Sequence, residues 1–378
     1  MTRRTHIRTA PPTRGPRAPG LVAALLLCAT LTGCARPAGV IFPPVHPPIT
    51  WPPQLSDGPA RIQYVGQLAT SEDLQPPVSG GQAFGEALFG KEPARSMLTP
   101  FALCSDGKDR LFVADSNAQC VHVFNFNTRE YQRWVTPKDA PQFAQPVAVA
   151  YDPVGRVIVA DSVFGGLFVF DDQGNFQSVI GQSSLQRPCG LTIHPTTRQL
   201  FVTDAGLHQL LILTPDGTLM AKLGQRGPAP LPANFNFPTS VAISPDGTIY
   251  VCDALNFRIQ VFNPDLTFVR AFGIKGDVPG SFSQPKALAT DSDGHLYVID
   301  SHFEAVEIFD PQGHVLLSFG EEGRAPGQFW LPTGIFIDAH NRIYIADSYN
   351  RRVQVFDYLP AAGPAPTPAS DPAIEVSP

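Results

Sequence analysis

The stretch Ile345-Ala-Asp-Ser-Tyr-Asn-Arg-Arg-Val-Gln-Val-Phe356 reads as an apolar strand ending on Asp347, a short polar loop, and a second alternating strand ending on Phe356. The pattern recurs upstream as LFVADSNAQCVHVF ending at Phe124, VIVADSVFGGLFVF at Phe170, LFVTDAGLHQLLIL at Leu213, IYVCDALNFRIQVF at Phe262 and LYVIDSHFEAVEIF at Phe309. The aspartates fall at Asp115, Asp161, Asp204, Asp253, Asp300 and Asp347, spaced 46, 43, 49, 47 and 47 residues apart. Several short strands repeating every 40 to 50 residues predict an all-β propeller of six blades.

Each unit opens on a proline, Pro100, Pro146, Pro188, Pro238, Pro285 or Pro332, at the start of an inner strand, where a missing N–H is tolerated. Tight turns such as Pro245-Asp-Gly then lead to the Asp-ending strand. Fourth strands are legible at Phe176 to Gly181, Leu219 to Gly224, Phe268 to Gly273 and Val315 to Gly320. The sixth unit has none, but Arg61-Ile-Gln-Tyr-Val-Gly66 resembles one. The N-terminal segment is therefore expected to complete the last blade and leave no bare sheet edge.

Val251 to Phe262 and Ile345 to Phe356, each followed by G-x-x-G-x-x-x-G-x-F-x-x-P, resemble the NHL repeat, over about residues 61 to 357. The resemblance implies an NHL-type six-bladed β-propeller, and together with the N-terminus described next it is similar to bacterial propeller lipoproteins. It implies no single activity, because propellers host unrelated functions.

The N-terminus carries Arg3, Arg4, Arg8, Arg14 and Arg17 without an acid, then an apolar run from Leu21 to Leu31, then Leu31-Thr-Gly-Cys34. The run is too short to span a bilayer and fits a cleaved signal. Leu31 to Cys34 resembles a lipobox, which implies lipidation of Cys34. Ala35 after the cysteine, rather than Asp, points to an outer-membrane lipoprotein. The expected organisation is a signal over 1–33, a Pro-rich tether over 34–60, the propeller over 61–358 and a disordered Pro/Ala-rich tail over 359–378.

The 378-residue chain has a formal net charge of −6. Loss of the signal leaves 22 basic against 33 acidic residues, net −11. So acidic a chain is a poor nucleic-acid partner. Cys104, Cys120, Cys189 and Cys252 sit in apolar strand patterns and read as buried free thiols, although in an oxidising compartment four cysteines allow three pairings.

An Asp in every blade points to scaffold, with the carboxylate accepting loop amides. Function is expected where blades differ, on the face that carries the Asp loops and the crossovers between blades. There Phe164, Leu207, His208, Phe257, His302, Phe303, Tyr349 and Arg351 form the candidate partner-binding set. Lys286 completes the candidate partner-binding set: it would point near the central channel, where the other blades carry Phe101, Val147, Cys189, Thr239 and Thr333, as a ligand contact or as a balancing charge in an acidic protein. Two loop histidines fall short of the three ligands of a catalytic zinc, and no G-x-S-x-G is present. The resulting expectation is a non-enzymatic, monomeric, membrane-tethered module with no cofactor or metal, binding envelope proteins. A lyase- or lactonase-type propeller enzyme with a channel metal is the alternative.

Overall fold

The computed structural model describes residues 35–53, 59–91, 93–229 and 231–359. Cys34, the signal and nearly all of the tail lie outside them. The chain divides into two compact units, residues 1–39 with 76–93, and residues 40–75 with 94–378.

The larger unit is the six-bladed propeller. Blades I to V are antiparallel four-stranded sheets whose inner strands are Pro100–Ser105, Pro146–Asp152, Pro188–Ile193, Pro238–Ile243 and Pro285–Thr290. Blade I has a fourth strand, Tyr131–Trp134, that the sequence did not reveal. It is four residues long and lacks the closing glycine that marks the others. Blade VI comprises Pro332–Ile337, Arg342–Asp347 and Arg352–Tyr358, and its fourth strand is Ile62–Leu68 from the N-terminal side. Arg352 ties this seam further by donating to Gln67 Oε1 at 2.8 Å.

A fifth strand, Thr50–Trp51, pairs outside Ile62–Leu68. The expected tether is thus partly propeller: Trp51 packs on Phe319 and Phe356 at centroid distances of 5.7 and 5.9 Å. Apolar residues interspersed among its prolines, among them Phe42, Val45 and Ile49, pack on the core instead of extending into solvent. The expected boundary at 61 also fails for residues 76–93, which belong to the smaller unit. Within that unit the helix Gly80–Phe89 is capped by Ser79 and Gln82, and Glu86 pairs with Arg36 at 2.8 Å. No described helix is long and apolar enough to cross a membrane.

The core lies between blades. Alternating strands turn one face to each neighbour, so rings such as Phe112, Phe168, Phe262, Phe309 and Phe356 are fully buried. The four cysteines of the propeller are free thiols. Where neighbouring inner strands approach near the axis, the contact positions take glycine. A Cβ on Gly334 of blade VI would sit 2.4 Å from the Phe101 carbonyl oxygen of blade I. Thr333 Oγ1 donates to that same carbonyl at 2.9 Å, and Ser348 donates to the Pro100 carbonyl, so blade VI is stitched to blade I at the inner edge as well.

Removing residues 62–68 should bare the Arg352–Tyr358 edge, which then pairs with other chains. The deletion variant is expected to elute as oligomers in size-exclusion chromatography and to melt well below the parent; a monomer of unchanged melting temperature would contradict the seam's role.

Candidate functional site

Every blade repeats one local device. The proline of the inner strand pairs with the blade's Asp, and the ladder then skips one residue before resuming, as in Pro238↔Asp253 followed by Ser240↔Cys252. The same bulge occurs in all six blades. The skipped residues are Phe101, Val147, Cys189, Thr239, Lys286 and Thr333, and all six line the central channel. A β-bulge re-aims a side chain, and here it makes one variable ring on a uniform scaffold.

The six aspartates are buried. Asp161 accepts the amides of Ala144 and Gln145 from the incoming crossover and of Val163 and Phe164 from its own loop, at 2.7–3.1 Å. Asp204 and Asp300 do the same with Gln186, Arg187, Gly206 and Leu207, and with Ser283, Gln284, His302 and Phe303. In blades IV and VI the carboxylate also receives Arg258 or Arg352, at 2.8 and 2.7 Å, and Gln260 or Gln354. In blade I His122 takes this role, with Nε2 3.1 Å from Asp115. Burial alone would lower the His122 pKa, but the Asp115 carboxylate outweighs it and pushes the imidazole up to about 9. These carboxylates are structural clasps between the loops of one face.

The residue four past each Asp has a positive φ: Gln119, Gly165, His208, Phe257, Glu304 and Arg351, at 50–73°. Three of them reach the crossover into the next blade, Gln119 Nε2 by donating to the Ala144 carbonyl at 3.1 Å. His208 Nδ1 accepts the Phe237 amide at 3.1 Å, and Glu304 accepts the Leu331 amide at 2.6 Å.

Of the expected partner-binding residues, Lys286 lies in the channel on an inner strand and the others lie on this loop-bearing face, with differing exposure. Phe164 packs on Phe168 at 5.0 Å, Leu207 lies against the core between blades II and III and Phe257 against that between blades IV and V, and Phe303 is half-buried beside exposed His302. Tyr349 is 58 % exposed and Arg351 is exposed. Tyr349 also packs in a tilted arrangement on Trp330, at a centroid distance of 5.7 Å, and the Arg324 guanidinium sits over the Trp330 ring at 4.6 Å. Neither Trp330 nor Arg324 was singled out in the sequence, because they sit on the crossover into blade VI, outside the Asp loop.

The channel is a cavity of about 460 Å³. Lys286 Nζ lies 5.1 Å from the centre of the Phe101 ring, and Arg187 covers Phe237 at 5.2 Å. Arg187 and Phe237 each directly precede an inner-strand proline, a position that only superposition of the units would have marked. Burial lowers the Lys286 pKa. Among the described residues, no cluster of three or more His, Cys, Asp or Glu side chains could hold a metal.

The sequence profile of the NHL repeat matches residues 235–262, and that of a family described as a 6-bladed beta-propeller matches residues 287–359. The protein is a six-bladed β-propeller that carries the NHL repeat. Among solved structures, virginiamycin B lyase from Staphylococcus aureus aligns at TM-score 0.52 and 14 % identity, over 69 % of this chain and 96 % of that one. An auxiliary nutrient binding protein from Bacteroides thetaiotaomicron aligns at 0.54 and 14 %, over 69 % of each chain. A chain of the nidogen/laminin complex aligns at 0.51 and 18 %, over 67 % of this propeller's chain and 89 % of its own. A lyase, a binding protein and a chain of the nidogen/laminin complex share this architecture, so the likeness is one of fold.

Two predictions concern the clasps. Asp253→Ala leaves Arg258 buried without its partner, which should cost about 3 kcal/mol or more in a denaturant melt, whereas Asp161→Ala loses only amide bonds and should cost about 1–3 kcal/mol.

The second concerns Glu307, which occupies in blade V the position of Gln260 and Gln354. It accepts the Gly280 amide at 3.2 Å, but its Oε2 is buried without a partner, and burial raises its pKa. The native state therefore holds this proton more tightly than the unfolded chain, so stability falls as pH rises from the usual glutamate range through the raised value. Glu307→Gln should flatten that part of the stability–pH curve and raise the melting temperature at neutral pH, read by melts at several pH values.

Proposed function

We propose that this propeller is a non-enzymatic binding module of the bacterial envelope, tethered to the membrane through Cys34 and engaging a protein partner with its loop-bearing face. The observation that carries the binding part is the cluster of Tyr349, Trp330 and Arg324 in blade VI. Trp, Tyr and Arg dominate binding hot spots, because large rings exclude water around a directed charge. Here the two aromatics are already packed against each other, one of them well exposed, and Arg324 and Arg351 supply exposed positive charge on a chain of net −6. The partner surface that fits is apolar with carboxylates at its edge.

The membrane part rests on the lipobox and draws support from the smaller unit. Its helix Gly80–Phe89 buries no side chain and exposes Phe84, Leu88 and Phe89, the last at 89 %. Arg36, two positions after Cys34, is bonded to Val78 and Glu86 of this unit. An exposed apolar helix face adds interfacial attachment to that supplied by lipidation of Cys34.

Crosslinking and capture from detergent-solubilised envelopes test the binding part. Trp330→Ala and Tyr349→Ala should each weaken capture by about 1–2 kcal/mol or more without lowering the melting temperature appreciably; capture unchanged in both variants would remove the blade VI face from consideration. Fractionation tests the anchor: Cys34→Ala should release the protein from membranes or leave it unprocessed, and undiminished association would count against lipid tethering.

A further inference from the structure

We infer that the mouth of the central channel is a binding site for a small carboxylate, held by Lys286 and Arg187. The cavity lining contains these two cations and no Asp or Glu, although acidic residues outnumber basic ones in the chain by 33 to 27. Neither cationic side chain is paired with a carboxylate among the described residues; each instead lies over an aromatic ring, Phe101 or Phe237. The two are close enough that Arg187 helps to lower the Lys286 pKa, and both cations act on Cys189, which lies in the same ring.

A cation over a ring face is stabilised by roughly 0.5–2 kcal/mol, less than a desolvated ammonium requires. A charge-assisted bond to a carboxylate is the stronger interaction. A partly buried lysine left in this state costs stability, and such a cost persists where it preorganises a ligand site. Thr239 and Thr333 lie in the same ring, but their hydroxyls are engaged elsewhere: Thr239 Oγ1 is buried against the Cys252 thiol and Thr333 Oγ1 donates to the Phe101 carbonyl, so the two cations are the ligand's polar partners. Below them the walls are mostly aliphatic, with Val149, Leu191, Leu288 and Ile335 among the lining residues. The volume of about 460 Å³ suits a small molecule with a carboxylate at the mouth and an apolar body in the channel.

None of Tyr349, Trp330 and Arg324 lines the channel, so this site is independent of the partner surface proposed above. Lys286 arises from one substitution on a ring position that every blade presents, so the site is a feature of this sequence on a shared fold.

The test is calorimetric titration of the purified full-length protein with benzoate, succinate and indole-3-acetate as carboxylate probes, benzamide as the neutral isostere of benzoate, and inorganic phosphate. At least one carboxylate should bind saturably and raise the melting temperature, with benzamide inactive. Lys286→Gln and Arg187→Gln should each weaken that binding by about tenfold or more, with Lys286→Arg retaining most of it. Lys286→Met should melt no lower than the parent, because it removes a desolvated charge. Absence of saturable binding by all three carboxylates, equal binding of benzamide, binding of phosphate alone, or unchanged affinity in both Gln variants would overturn the assignment. A lower melting temperature for Lys286→Met would do so too, by making the lysine structural.

Discussion

The propeller depends on one buried carboxylate per blade that ties two loops together, through backbone amides of both in blades I, II, III and V, and through a crossover amide plus the side chain of Asn256 or Asn350 in blades IV and VI. Each loop on that face would otherwise end with N–H groups turned into the protein and unpaired, at a cost of the order of a hydrogen bond each. Asp161, Asp204 and Asp300 meet four such groups apiece. Because the amides come from the crossover as well as from the blade's own loop, the clasp fixes where one blade ends and the next begins. The bulge behind each proline follows from this pinning, and with it the direction in which six side chains enter the channel.

Blades differ in how the remaining carboxylate oxygen is satisfied, and the differences track the sequence. Blades IV and VI use Arg and Gln, blade I uses a protonated His, and blades II and III place Phe168 and Leu211 at the position of the Gln. Blade V has Glu307 there, a residue that keeps the amide contact but has no partner for its second oxygen. A scaffold whose essential contacts are made by backbone amides tolerates such drift, which is how loops diverge while the ring survives.

The six-unit period, the proline starts, the Asp positions and the closing strand were all legible, because strand alternation and turn residues are local and repeated six times. What escaped was set by distance in the chain. Tyr131–Trp134 lacks the glycine that marks its counterparts. Trp51 reads as tether among its prolines, and only the ring it meets, Phe319 and Phe356, makes it core. The candidate site divides in the same way. Lys286 could be placed in the channel from its register, whereas Arg187 and Phe237, which precede prolines two blades and one blade earlier, become its neighbours only when the ring closes. Phe164 and Phe257 were legible as loop residues, but whether a ring lies on its own blade or stands in solvent depends on packing no single repeat contains.

The seam in blade VI also orders events in time. Gln67 and its partner Arg352 lie 285 residues apart, so the first blade strand to emerge is the last to join its blade. Five blades can form from neighbouring segments, but closure must wait for the whole chain and carries the slow kinetics of non-local pairing. Until then the first strand and the last blade both present open edges, so the vulnerable interval in this protein's life falls between the end of synthesis and the meeting of its two ends.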